Sequence, residues 1–169
     1  MRDPKSDFEH VYEQHLWHVY GYFAYRLDSR ELAEDLTQAT FERALRSWAK
    51  FDRRRASERT WLLAIARNLL IDHFRRQQPQ LRATIEDHEL PAVPGPEAAY
   101  AAWPELHEAL ARLSEREREL LGLRFGAELS GAEIAELCEL SLANVQQITS
   151  RALRRLRAEL QPDSTDDRG

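Results

Sequence analysis

Residues 130–157 read SGAEIAELCELSLANVQQITSRALRRLR. Ser130, followed three residues later by Glu133, is a capping-box pattern: a hydroxyl and a carboxylate placed to satisfy free N–H groups at a helix start. Ile134, Ala135 and Leu137 give the short helix that follows an apolar side, and Ser141 is the cap of a second helix. Along that second helix Val145, Ile148, Ala152, Leu156 and Leu160 recur at spacings of three and four, which turns them to one inward face. A short helix, a tight connection and a longer helix form a helix-turn-helix pattern, which places the N-terminal side chains of its second helix at base edges in a DNA major groove. Asn144, Gln146, Gln147, Ser150 and Arg151 are polar and lie off the apolar stripe. Asn and Gln pair bidentately with adenine and Arg with guanine, so Gln146 or Gln147 is expected to read an adenine. Arg154, Arg155 and Arg157 lie further along, where phosphate contact is expected. Taken alone, the segment also fits a helical hairpin of an ordinary bundle with solvated arginines.

Working outward, Ser114 with Glu117 caps another helix, and Gly126, just after Leu123, Arg124 and Phe125, is expected to stop it. Before that, apolar periodicity is lost. Residues 79–97 carry Pro79, Pro91, Pro94, Gly95 and Pro96, with Arg82 against Glu86, Asp87, Glu89 and Glu97. Proline lacks a backbone donor and restricts its predecessor, so this stretch reads as an extended, acidic, flexible linker. The first 78 residues are helical in pattern throughout. Phe8, Val11, Tyr12, Leu16, Val19, Tyr20, Phe23 and Leu27 share one face. Asp28 with Glu31 is expected to cap a second helix striped by Leu32, Leu36, Thr40, Ala44 or Leu45, and Trp48. Ser57 is expected to cap a third, with Trp61, Leu62, Ile65, Ala66, Leu69 and Phe74 inward. The expected fold is all-α: a three-helix bundle over 1–78 and a four-helix helix-turn-helix domain over 98–160, joined by the linker at 79–97 and followed by an acidic tail at 161–169.

The chain has 169 residues, 31% of them charged and 43% apolar, which fits a globular protein. It has no run of about 18 apolar residues and no apolar stretch at its start, so neither a membrane span nor a secretory signal is expected, and the expected location is the cytoplasm. The net charge of −5 argues against nucleic acid until it is resolved by position. Between positions 53 and 76 seven arginines face Glu58 and Asp72, giving +5, and between 151 and 157 four arginines face no acid, giving +4. The remainder therefore carries −14, and two short basic islands stand in an acidic protein.

The first island mixes arginine with an aromatic residue. Arg53, Arg54, Arg55 and Arg59 precede Trp61, and Arg67, Asn68, His73, Arg75 and Arg76 lie on the same helix. Aromatic faces hold unstacked bases while arginines hold the backbone, as in single-strand binding. A core Trp61 beside a solvated arginine face is the competing reading. His10, His15 and His18 cluster without a suitably spaced further ligand, so no metal and no cofactor is expected. Cys138 reads as a small core residue. No Ser-His-Asp order, phosphate loop or paired-carboxylate site points to an enzyme.

At this point the residues resemble a family. Asp35-Leu36-Thr37-Gln38-Ala39-Thr40-Phe41 is similar to the core-polymerase-binding motif of bacterial sigma factors. Arg59-Thr60-Trp61-Leu62, Ile65-Ala66-Arg67-Asn68 and Asp72-His73-Phe74-Arg75-Arg76 resemble the promoter-melting helix that follows it, and 113–119 with the helix-turn-helix resembles region four. Two domains with a proline-bearing linker are similar to the small extracytoplasmic-function (ECF) group. The resemblance implies a promoter-specificity subunit without catalysis of its own. It implies that Asp35, Gln38, Phe41 and Glu42 face the clamp helices of the polymerase largest subunit. It implies that Arg53, Arg54, Arg55, Ser57, Arg59, Trp61, Arg67, Asn68, Arg75 and Arg76 open and hold the minus-ten element. It implies that Ser141, Asn144, Gln146, Gln147, Ser150, Arg151 and Arg154 read the minus-thirty-five element, with the same domain on the polymerase flap. The linker would occupy the polymerase active-site and RNA-exit channels. An anti-sigma factor is an implied partner, and the chain is expected to be monomeric when unbound.

The sequence departs from the family pattern in places. Ala39 stands where an acid is usual, Glu58 where an aromatic or small residue is commoner, with Arg54 or Arg55 as its expected partner, Glu139 where the turn has glycine, and Gln146 and Ile148 where basic residues are usual. Two rival readings follow. One is a degenerate sigma-like decoy that binds polymerase or an anti-sigma factor without reading DNA. The other is a dimeric helix-turn-helix repressor, which leaves the first 78 residues unexplained.

Overall fold

The structure is a computed structural model, and it describes residues 4–77 and 104–161. The expected linker at 79–97, the start of the second unit at 98–103 and the tail beyond 161 lie outside the described residues. The described residues form α1 (Pro4–Arg26), α2 (Arg30–Ser47), a 3₁₀ turn (Trp48–Lys50), α3 (Glu58–Gln77), α4 (Pro104–Ala111), α5 (Glu115–Leu121), a π-helical turn (Gly122–Gly126), α6 (Gly131–Cys138) and α7 (Leu142–Leu160). The all-α expectation holds, with α1–α3 as one unit and α4–α7 as the other.

Most of the α1 stripe packs as its spacing predicts: Phe8, Val11, Val19, Tyr20, Phe23 and Leu27 are buried and Leu16 is half-buried, but Tyr12 is exposed. On α2 the buried line is Ala33, Thr37, Thr40, Phe41 and Ala44, one position off the expected leucines, and Leu45 is exposed. The two threonines bury without penalty because Thr37 Oγ1 donates to Ala33 O and Thr40 Oγ1 to Leu36 O, both at 2.7 Å. The cap of α2 is Ser29, whose hydroxyl accepts from Leu32 N at 3.2 Å, and not Asp28, which pairs with Arg118. Ser114 and Ser130 make complete capping boxes with Glu117 and Glu133.

The two units share a core. One continuous apolar cluster includes Val11, Phe23, Leu63 and Leu70 from the first unit and Leu123, Leu129, Ile134 and Val145 from the second. The helix α1 is covered on two faces: Tyr22, outside the predicted stripe, is fully buried against the second unit. At this seam Gly21 and Gly126 meet backbone to backbone, and a Cβ on either would overlap the carbonyl oxygen of the other. Gly126 is therefore not a left-handed helix stop. It ends a π turn with ordinary φ and serves as a point of close approach. Positive φ falls instead on Glu128 (56°) and Glu139 (55°).

Candidate nucleic-acid interface

The segment between the 3₁₀ turn and α3 is fixed by its own polar side chains. Ser57 Oγ accepts from Thr60 N at 3.1 Å and caps α3. Asp52 accepts from Arg54 N at 3.0 Å and from its guanidinium at 3.1 Å, which holds the Asp52 carboxyl below the usual carboxylate range. Trp48, Phe51 and Trp61 form an aromatic ladder, with Trp48 and Phe51 stacked at 5.4 Å and Phe51 and Trp61 at 4.6 Å. The Arg53 guanidinium lies over Trp48 at 5.6 Å. A surface depression of about 680 Å³ opens here, lined by Asp7, Trp48, Lys50, Phe51, Arg53 and Arg54. Sequence reasoning treated Trp48 as core and passed over Phe51. The signal was available in aromatics flanking the arginine run.

The expected minus-ten residues divide along α3. Trp61, Asn68 and Arg75 are seven apart, almost two helical turns, and so form one line. Asn68, Arg75 and Arg76 are exposed, as are Arg53, Arg54, Arg55 and Ser57 before the helix, and Trp61 is half-buried at the ladder. Arg59 and Arg67 instead meet the second unit. Arg59 Nη1 donates to Glu128 O at 3.1 Å, and Arg67 Nε donates to Glu119 Oε1 at 2.7 Å. Burial disfavours the Arg67 charge, but the Glu119 carboxylate outweighs it and holds the guanidinium above its ordinary pKa. Arg116 Nη1 reaches the other Glu119 oxygen at 3.3 Å.

Glu58, unusual for the resembled pattern, is paired. Its Oε1 takes Arg53 Nη2 at 2.8 Å, and its Oε2 lies 3.6 Å from His15 Nε2. His15 Nδ1 and His18 Nδ1 are 3.5 Å apart, and His18 Nε2 meets Glu128 Oε2 at 3.1 Å across the seam. Burial pushes the His15 pKa below its ordinary value, aided by His18 and Arg59 and opposed by Glu58. Among the described residues no three His, Cys, Asp or Glu side chains group as a metal site.

In the second unit Ser141 Oγ accepts from Asn144 N at 3.1 Å and starts α7. Asn144, Gln146, Gln147, Ser150, Arg151 and Arg154 are all exposed. Asn144, Gln147, Arg151 and Arg154, at spacings of three, four and three, line the face opposite the buried Val145, Ala152 and Leu156, and Gln146 lies to one side. Arg155 is engaged elsewhere: its Nη1 donates to Glu117 at 2.7 Å, bracing α7 on α5. Burial raises the Glu117 pKa, but hydrogen bonds from Ser114 and Arg155 outweigh that and lower it. Glu139 takes φ 55°, ψ 42° at the turn, the left-handed conformation the missing glycine would adopt easily.

On α2, Asp35, Gln38 and Glu42 are exposed, and Gln38 Nε2 donates to Glu42 at 3.1 Å. Phe41, unlike these three, is only 5% exposed. It packs edge-on against Tyr12 at 4.8 Å and floors a groove of about 490 Å³ between α1 and α2, where Trp17 is 58% exposed. The contribution of α1 to this face was not read from the sequence, because Tyr12 falls within the inward stripe and Trp17 off it.

With this geometry established, comparison with known proteins places the chain. Residues 11–80 match Sigma-70 region 2, and residues 109–158 match Sigma-70, region 4. The chain is 34% identical over 161 residues to the ECF RNA polymerase sigma factor BldN of Streptomyces coelicolor, covering 92% of this chain and 61% of BldN. It is 33% identical over 153 residues to the ECF RNA polymerase sigma factor SigC of Mycobacterium tuberculosis, covering 89% of this chain and 80% of SigC. It is 32% identical to the RNA polymerase sigma factor YlaC of Bacillus subtilis, covering 97% and 95%. Its fold is similar to that of the sigma factor RpoE of Bartonella quintana, solved with the anti-sigma factor NepR, with a TM-score of 0.78 at 22% identity over 93% of this chain and 98% of that one.

Proposed function

This chain belongs to the ECF RNA polymerase sigma factors, and on that premise we propose that it is a dissociable promoter-specificity subunit that binds core polymerase and directs initiation at a particular promoter set. The observation that carries the reading is the pairing, in chain order, of a region 2 unit bearing an aromatic–arginine platform with a region 4 unit bearing a polar reading face. The protein performs no catalysis of its own. The exposed Asp35, Gln38 and Glu42 of α2 dock the polymerase clamp helices, with Phe41 supporting them from beneath. Arg53, Arg54, Arg55 and Ser57, with the Trp48–Phe51–Trp61 ladder and the Asn68, Arg75 and Arg76 line, hold the minus-ten element as a single strand. Arg59 and Arg67 join them once freed from the second unit. Asn144, Gln147, Arg151 and Arg154 read the minus-thirty-five element, flanked by Gln146 and Ser150, with Ser141 fixing the helix start.

RpoE of Bartonella quintana is held by an anti-sigma factor, and a partner of that kind is proposed for this chain. Among the described residues no helix is long and apolar enough to cross a membrane. A cytoplasmic chain, monomeric until it meets a partner, is part of the proposal. Mixing it with core polymerase and a library of promoter fragments, then sequencing the transcript starts, tests the reading. Starts that share two sequence elements at fixed spacing are expected. Core binding without initiation points instead to the decoy, and duplex binding without core to a repressor.

A further inference from the structure

We propose that His15 and His18 form a proton sensor at the contact between the two units, a pair that holds one proton when the units are packed and two when they are apart, so that acidification drives the units apart. Packing of the units is the premise here and the proton is the addition, and neither depends on the promoter reading. The pair sits where three parts of the chain meet. His15 is buried on α1, and its Nε2 lies 3.6 Å from Glu58 Oε2 on α3. Arg53 takes the other oxygen of that carboxylate at 2.8 Å. On its other side His15 Nδ1 lies 3.5 Å from His18 Nδ1. His18 Nε2 in turn donates to Glu128 Oε2 of the second unit at 3.1 Å, and Glu128 O accepts from Arg59 Nη1 at 3.1 Å. A crevice of about 480 Å³ borders His15, walled by Arg53, Ser57, Glu58 and Arg59 of the first unit and Glu133 of the second.

The geometry limits how many protons this row of groups accepts. An ionised carboxylate only accepts, so Glu128 requires hydrogen on His18 Nε2, and Glu58 favours hydrogen on His15 Nε2 in the same way. The two Nδ1 atoms then face each other. One proton between them makes an N–H···N bond. A second sets two N–H groups and two positive charges against each other at 3.5 Å. The surroundings of His15 act in the same direction. Burial opposes its charged form most, then His18 and Arg59, with Glu58 opposing them, and its pKa lies below the ordinary value. In the packed chain His18 cannot turn away from His15 without giving up Glu128. Separation frees His18 to turn and opens the crevice beside His15 to water, so both rings can charge. It also takes away the Glu128 carboxylate, but that side chain is exposed, and an exposed pair of this kind contributes little. The two protons thus belong to the pair and not to either ring. Uptake of one more proton by the separated form shifts the equilibrium toward it by up to about ten-fold per pH unit below about pH 6.5.

Small-angle X-ray scattering of the full-length chain between about pH 7 and about pH 5.5 tests this, with helical circular dichroism followed alongside. Gly126→Ala, whose added Cβ overlaps the Gly21 backbone, supplies the size of the separated chain. Wild type is expected to be compact near neutral pH and to grow toward the Gly126→Ala radius of gyration in acid, with its helix retained. His15→Gln cannot take a proton and is expected to stay compact in acid. His18→Gln removes the facing charge and is expected to expand only at a lower pH than wild type. His107 on α4, near Asp28 and Arg118, is the other histidine whose pKa burial lowers, and His107→Gln is expected to expand as wild type does. A wild type of constant size, expansion of His15→Gln equal to that of wild type, or expansion lost in His107→Gln overturns the proposal. Expansion that comes only with loss of helix overturns it as well. If a variant fails to fold, imidazole NMR of wild type decides: His15 and His18 are expected to titrate in two linked steps, and two independent titrations overturn the proposal. Initiation with core polymerase tests the promoter reading separately, and no outcome here bears on it.

Discussion

Glu58 and Glu139 both occupy positions where the family pattern has something else, and the structure gives each a different physical outcome. Glu58 opens α3, where a carboxylate is favoured by the helix dipole, and it clamps Arg53 against Trp48. Removing it leaves Arg53 unanchored. Because Arg53 is well exposed, Glu58→Ala is expected to weaken single-strand binding by only about two- to five-fold, and the loss should vanish in an Arg53→Ala background when measured as a double-mutant cycle. Glu139 takes its left-handed backbone as the C-cap of α6, where its N–H donates to Ala135 O and Glu136 O, bonds that a glycine would keep without the Cβ strain. Glu139→Gly is therefore expected to stabilise the fold by about 1 kcal/mol, read as a rise of about 2–4 °C in melting temperature for a chain of this size. At this scale the sequence was informative about identity and misleading about pairing, since it offered Arg54 or Arg55 as the partner of Glu58 and the structure uses Arg53. Glu58 stood out as a carboxylate beside an expected DNA path, but its partner, Arg53, is five residues back and across a turn, a geometry that no periodicity encodes.

At the scale of elements, the caps were the most legible feature. Ser57, Ser114, Ser130 and Ser141 all cap helices as expected, because capping is a local exchange of hydrogen bonds between residues three apart. Faces were less legible. The leucine stripe expected for α2 is displaced by one position toward small residues, since close helix packing and threonine back-bonding outweigh side-chain hydrophobicity. On α7 the sequence offered Gln146 and Gln147 equally as adenine readers. Both are exposed on α7, and helical spacing puts Gln147 in line with Asn144 and Arg151. Gln147→Ala is expected to relax preference at one minus-thirty-five base pair by about 1–3 kcal/mol, whereas Arg154→Ala should weaken all sequences alike. Selection and sequencing of bound promoter variants, with holoenzyme, distinguishes the two. Relaxation at Gln146 and not at Gln147 would reverse the assignment.

For the whole molecule, what the sequence could not supply is the seam. Gly126 reads as a helix stop in the sequence, because its actual reason is contact with Gly21, more than a hundred positions away. The seam is expected to respond to pH. His15, between Glu58, His18 and Arg59, and His107 on α4 both have pKa values pushed below the ordinary 6.5 by burial. In the unfolded chain these groups take up protons at higher pH than in the folded one. Their contribution to stability is thus complete above about pH 6.5 and is lost as pH falls below it. Melting temperature should drop between neutral and mildly acidic pH, and His15→Asn should flatten part of that drop. An unchanged slope would remove His15 from the account.

The charge distribution belongs to this scale as well. Two islands totalling +9 lie in a remainder of −14, so the isolated chain should bind random duplex weakly, and polymerase must bring the islands to the promoter. The most direct test of the account is strand opening in the assembled complex. Permanganate reactivity of minus-ten thymines is measured on a promoter recovered from the library, with core polymerase and either wild type or Trp61→Ala. Wild type is predicted to expose reactive thymines at the minus-ten element, and Trp61→Ala to bind core and promoter while leaving them largely protected. Protected thymines with wild type bound to both, or equal opening by the Trp61 variant, would contradict the account.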